Sequence, residues 1–358
     1  MILRRVAIGV ALVGVIATTS WPESRLSAQT KGAAESSAAA RVDPSWKVPR
    51  TAWGHPDLEG VWASDDMRGV PMSRPAEFGT RAYLSDEEFA ARAKQRGNAR
   101  EVQEGAVGTF RNEEGTRSFG YTSLVIDPPD GRTPPMTPAG LARRATRDQG
   151  SFGVGPFDKP EDFTLYDRCI TRGLVGSFLP VVYGNGARIL QTPNEVVISH
   201  EMVHDTRIIP LDGRSHLGSN IRQYMGDSRG RWEGTTLVVE TTNFTDRTSI
   251  GANGNGTRHS EAMRIVERFT RVDPEMIDYE ARIEDPLTYT RPWTIRMTIT
   301  RQPGYQLFEY GCHEGNGAVK NAMSAERAHE KVAADAAARG LPPPERVFER
   351  VNGPDRAR

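Results

Sequence analysis

The sequence predicts an all-β protein, an antiparallel curled sheet or barrel with a few peripheral helices. Three observations carry this expectation. Ile277, Tyr279, Ala281 and Ile283 fall on one parity, and Asp278, Glu280, Arg282 and Glu284 on the other. The same alternation returns at Trp293, Ile295, Met297 and Ile299 against Thr294, Arg296, Thr298 and Thr300. A period of two is the mark of strands with one buried and one wet face. The third observation is the abundance of turn formers, 35 Gly and 24 Pro, many of them between the apolar runs.

The elements follow in chain order. Arg4 and Arg5 precede an apolar run from Val6 to Ala17, and Leu26-Ser27-Ala28 reads as a cleavage site. The run is shorter than the roughly 20 residues that cross a bilayer, so residues 1–28 read as an export signal. Residues 29–48 are rich in Ala and Ser and read as a disordered tether. The folded domain is expected over 49–322, beginning at Pro56-Asp57-Leu58-Glu59-Gly60-Val61-Trp62. Ser85 and Glu88 form a capping box for a helix to about Arg96. Ser123-Leu124-Val125-Ile126 reads as a strand, followed by a turn at Asp127–Gly131. Thr137-Pro138 starts a second helix, to about Arg147, with proline at its first position.

From 181 onward the sequence reads almost entirely as β. Strands are expected at 181–190, 195–203, 205–210, 219–225, 235–243, 263–272, 276–285, 292–301 and 305–312, and the run Gly226-Asp227-Ser228-Arg229-Gly230 is expected to be a turn. A last helix is expected at 324–339, capped by Ser324, within a C-terminal segment 323–358 that ends in a mobile tail.

Lys plus Arg and Asp plus Glu both number 46. A neutral chain has no long-range field to attract nucleic acid or anionic lipid, so neither is expected as a partner, and no membrane association is expected once the signal is removed. Oligomeric state is open. Cys169 and Cys312 are the two cysteines. An isolated pair in an oxidising compartment most often forms one disulfide, here closing a loop of about 140 residues; two buried thiols are the alternative.

Four clusters are candidates for chemistry. His200-Glu201-Met202-Val203-His204 matches H-E-x-x-H, which holds zinc when both imidazoles share a helix face. Its flanks, Val196-Val197-Ile198 and Ile208-Ile209-Pro210, are β-branched and end in proline. On a straight strand residues four apart lie about 13 Å from each other. No metal is therefore expected, and a zinc-dependent hydrolase is the rival reading. Glu201, His204 and Arg207, near Asp212, Arg214 and His216, offer an acid, a base and a cation in one short segment, the set needed for acid–base catalysis without a cofactor. A salt-bridge ladder on a wet face is the bland equivalent. Tyr310, His313, Glu314 and Asn316 adjoin Cys312, which would fix them rigidly at a strand end. Asp227, Arg229, Arg231 and Trp232 surround a glycine-rich turn. The aromatics Trp62, Tyr224, Trp232, Phe269, Tyr279 and Trp293 fill a core or line an apolar cavity.

Pro56–Trp62, Asp127–Arg132 with Pro134-Pro135, Arg207–Arg214, Met225–Phe244 and Cys312-His313-Glu314-Gly315-Asn316 together resemble a large group of exported bacterial proteins, over roughly residues 50–320. The resemblance implies export and brings no mechanism. It gives counterparts to Glu201, His204, Arg207 and His216, while the position of His200 varies, which tells against an obligatory ligand there. Gly60-Val61-Trp62 is also similar to the Gly-x-Trp start of lipocalins, implying a lipocalin-like barrel. The expectation is an exported protein that encloses a small, largely apolar ligand. Glu201, His204 and Arg207 are the catalytic candidates, and His216, Asp227, Arg229, Trp232, His313, Glu314 and Asn316 the binding ones. No cofactor is expected. A non-enzymatic envelope interaction module is a further alternative.

Overall fold

The computed structural model describes residues 43, 45–92, 94, 120–145, 157–181, 183–252 and 256–344. The expected export signal, most of the tether and the end of the tail lie outside these residues. The strands are β1 (Gly60–Ala63), β2 (Val125–Asp127), β3 (Gly186–Gln191), β4 (Glu195–His200), β5 (Thr206–Pro210), β6 (Asp227–Glu233), β7 (Thr236–Thr242), β8 (Ser249–Ile250), β9 (Thr257–Arg258), β10 (Arg264–Asp273), β11 (Met276–Glu284) and β12 (Trp293–Arg301). Helix α1 opens at residue 86, α2 spans Pro138–Ala145 and α3 spans Ala318–Ala338.

The chain is mostly β, as the alternation predicts. One antiparallel sheet runs β5-β4-β3-β1-β12-β11-β10-β7-β6, and β2 pairs the outer part of β12. Curling brings the two ends of the sheet together, so the nine-strand path is nearly closed into a barrel. The closing contact is made at Gly230 of β6. A Cβ there would lie 2.8 Å from both Ile209 Cγ2 of β5 and Leu211 Cδ2, so only glycine lets the strands come this near. Strands β8 and β9 form a separate two-stranded ribbon.

The interior follows parity. Ile265, Glu267 and Phe269 of β10 face the same way as Tyr279, Ala281 and Ile283 of β11 and as Trp293, Ile295 and Met297 of β12, and all are buried. The loop between the second helix and β3 supplies an interior plug. Phe178 sits 4.9 Å from Tyr279, 5.7 Å from Phe269 and 4.6 Å from His200, ring centre to ring centre.

Several sequence expectations are corrected. The polar parity of β12 is not wet: Thr298 and Thr300 are buried, because residues 65–72 and 120–125 lie across them. Thr298 Oγ1 contacts Met67 Sδ at 3.3 Å, and Arg296 stacks over Tyr121 while bonding Asp278. The segment 226–230, expected as a turn, mostly belongs to β6: Gly226 closes a reversal just before the strand, its N–H bonding the Gln223 carbonyl at 3.2 Å, and Gly230 serves close packing within it. Residues 219–225 and 305–312 are not strands. The first makes a single bridge, Gln223 to Phe244, and the second is held by side chains. Residues 181 and 183–185 precede β3 without joining it. Helix α3 begins six residues early, and Gly317, not Ser324, stands at its N-cap without a side-chain bond. The capping box at Ser85 and Glu88 forms as expected.

Candidate functional site

Strand β4 ends at His200, and the chain then turns. His204 N–H bonds the Glu201 carbonyl, and Val203 and His204 both take positive φ, 64° and 44°. The segment is therefore neither the continuous strand expected to 203 nor an α-helix. It is a tight 3-10 reversal between β4 and β5. The two imidazoles of the H-E-x-x-H run part company. His200 points into the barrel against Phe178, with its Nδ1 unpartnered among the described residues, and His204 is exposed. Burial, then the nearby Arg207 and Arg172 charges, hold the His200 imidazole down to about 3, so it is neutral. Among the described residues, no group of three or more His, Cys, Asp or Glu side chains is placed to hold a metal ion.

The other residues of that segment also separate. Arg207 faces the interior and makes a two-pronged ion pair with Glu267 of β10, with Arg207 Nη2 donating to Oε1 at 3.1 Å. Tyr279 O–H donates to the same Oε1 at 3.0 Å. Glu201 accepts from Tyr305 O–H at 2.7 and 3.0 Å and from Phe308 N–H at 3.1 Å, so it pins one end of the strap 305–316. The Cys169–Cys312 disulfide, 143 residues apart in sequence, pins the strap's other end. Asn316 donates to the Asp167 carbonyl at 2.7 Å beside it. His204 and His313 meet at 6.4 Å between ring centres, and Glu314 is exposed.

His216, Asp227 and Arg229 form a third group, remote in role from the first two. His216 Nδ1 lies 2.9 Å from Asp227 Oδ2, and its Nε2 lies 3.3 Å from Glu240 Oε1. Arg229 Nη1 and the Leu217 N–H also donate to Asp227. Partial burial raises the Asp227 carboxyl, but these three partners outweigh it and hold it below its ordinary value. Trp232 stands apart, 5.6 Å from the His55 ring.

None of these groups lines the apolar cleft of the molecule. That cleft, about 410 Å³, lies at the barrel rim where β12 begins. Trp293 and Tyr289, packed edge to face at 5.4 Å, form one wall. Leu179, Ile250, Met72 and Leu124 complete an apolar lining, and Ser73, Thr133 and Thr257 add hydroxyls. Trp293 is the one aromatic of the sequence list that lines it; its Nε1 is buried without a partner among the described residues. Trp62, Phe269 and Tyr279 fill the core, and Tyr224 is partly exposed.

Two residues that matter escaped the sequence reading. Arg172 is buried and ties two walls of the cleft together, with Nε donating to the Ala252 carbonyl at 2.7 Å and Nη2 to the Leu179 carbonyl at 2.8 Å. Burial brings its guanidinium down to about 10. Nothing local marks it. Glu267 did carry a signal: it shares parity with Ile265 and Phe269, so an acid was due on an apolar face.

No family model matches the chain, and neither curated proteins nor solved structures give a match.

Proposed function

We propose that this is an exported protein that binds a small, largely apolar molecule in the rim cleft between Leu179, Ile250, Tyr289 and Trp293. The cleft itself carries the reading. Its volume and its mixture of aromatic walls with a few hydroxyls fit a small ligand with one or two polar atoms. Export is supported by the disulfide, which persists in oxidising compartments, and by the basic and apolar N-terminus.

This reading moves the ligand away from Glu201, His204, Arg207 and His313. Arg207 is satisfied by Glu267, and Glu201 by the strap. Their geometry supports architecture, and no reaction is assigned to them.

The test is a titration with a neutral aromatic alcohol, 1-naphthalenemethanol, followed by tryptophan fluorescence and calorimetry. One site is expected in the wild-type protein. Ala252→Trp, which fills the cleft from its wall, should remove it. Saturable binding that survives this substitution would refute the assignment.

A further inference from the structure

A second cleft, about 560 Å³, lies at the opposite end of the barrel, and its chemistry differs. Its floor is Arg271, on the last turn of β10. The guanidinium lies over two indoles, 5.4 Å from the Trp62 ring centre and 5.9 Å from that of Trp46. It is fixed there by the Asp57 carbonyl at 3.0 Å, the Asp57 carboxylate at 3.4 Å and the Pro274 carbonyl at 2.9 Å. Its Nε is buried with no partner among the described residues.

The walls add Lys47 and Arg50, against a single lining carboxylate, Asp43. Asp43 is turned to the Ser45 N–H and hydroxyl, at 2.8 and 2.7 Å. Arg50 donates to the Gly54 carbonyl at 2.6 Å, and among the described residues neither Arg50 nor Lys47 has a carboxylate partner. Two exposed cations without a carboxylate partner among the described residues, Lys47 and Arg50, therefore line the cleft beside the Asp57-paired Arg271, with Asp43 the lining acid, and a half-buried indole offers a flat apolar wall.

We propose that this basal cleft binds a small aromatic carboxylate, with its ring on Trp46 and its charge shared by Lys47 and Arg50 over the fixed Arg271. A carboxylate suits guanidinium and ammonium donors, which form charge-assisted bonds stronger than neutral ones. A flat ring suits a tryptophan face whose other neighbour is already a cation. The two features together favour an aromatic acid over a bare anion. The site is independent of the rim cleft, whose lining carries no charge.

The test uses 1-naphthoate as the probe, with 1-naphthalenemethanol and inorganic phosphate for comparison, by calorimetry on the full chain. Lys47→Gln/Arg50→Gln should weaken 1-naphthoate about tenfold or more, since two charged contacts are lost. Both residues are exposed, so the fold should persist, as circular dichroism will verify. Ala252→Trp should leave 1-naphthoate binding intact while removing the neutral alcohol. Raising the salt concentration should weaken the acid alone. The proposal is overturned if the wild-type protein does not bind 1-naphthoate, if the double variant binds it as well as the wild type, if phosphate binds equally well, or if Ala252→Trp abolishes it.

Discussion

Replacing Glu267 by glutamine leaves the Arg207 guanidinium in the barrel without a counter-charge. The Arg207 side chain is 5% exposed and that of Glu267 0%. A pair so desolvated belongs with buried ion pairs, where loss of one partner costs about 3–5 kcal/mol. It does not belong with an exposed pair such as Arg214–Asp212, 59% and 37% exposed, where about 0–1 kcal/mol is at stake. Against a whole-domain stability of about 5–15 kcal/mol, the single substitution should bring a large part of the protein near its unfolding threshold. Arg207→Met combined with Glu267→Gln removes the stranded charge and keeps an acceptor for Tyr279, so the double variant should lose less than half as much. Urea unfolding of the four proteins, followed by circular dichroism, gives the cycle. A single-variant loss below about 1 kcal/mol, or a double-variant loss equal to the sum of the singles, would refute the argument that a desolvated charge is the cost.

Acid should destabilise the fold through two buried imidazoles. His200 is held at about 3, and burial chiefly holds His259 at about 4, whereas an unfolded histidine titrates near 6.5. Below about pH 6.5 the unfolded chain binds protons that the folded one refuses, so stability falls with pH down to the folded values, by on the order of 2 kcal/mol per group between pH 6.5 and 5. His200→Phe should flatten this slope in pH-dependent unfolding; an unchanged slope would remove His200 from the explanation. Cys169→Ser/Cys312→Ser frees a loop spanning 143 residues, and loop-closure entropy sets an upper loss of about 5 kcal/mol, to be read by guanidinium unfolding. Gly230→Val should force β5 and β6 apart and cost about 1–3 kcal/mol in the same assay, with an unaltered midpoint counting against closure at this residue.

The sheet was legible because parity is a local property. The run from Ile277 to Ile299 announces its buried face without knowledge of any neighbour. What covers the other face is not local: Thr298 is buried by Met67, more than two hundred residues away. The candidate site was less legible for the same reason. Glu201, His204 and Arg207 lie close in sequence, but the reversal at Val203 and His204 sends one to the strap, one to solvent and one to the interior. The rim cleft is assembled from Met72, Thr133, Leu179, Ile250 and Trp293, which share no motif. The disulfide was accessible from a count of two cysteines, although what it clamps, the strap 305–316, was not.

The most direct measurement is a crystal structure of the protein soaked with 1-naphthalenemethanol. Electron density for the ring between Leu179 and the Tyr289–Trp293 wall is the expected result. An empty rim cleft at saturating probe, or a ring bound only among the Glu201, His204 and His313 side chains, would contradict the account.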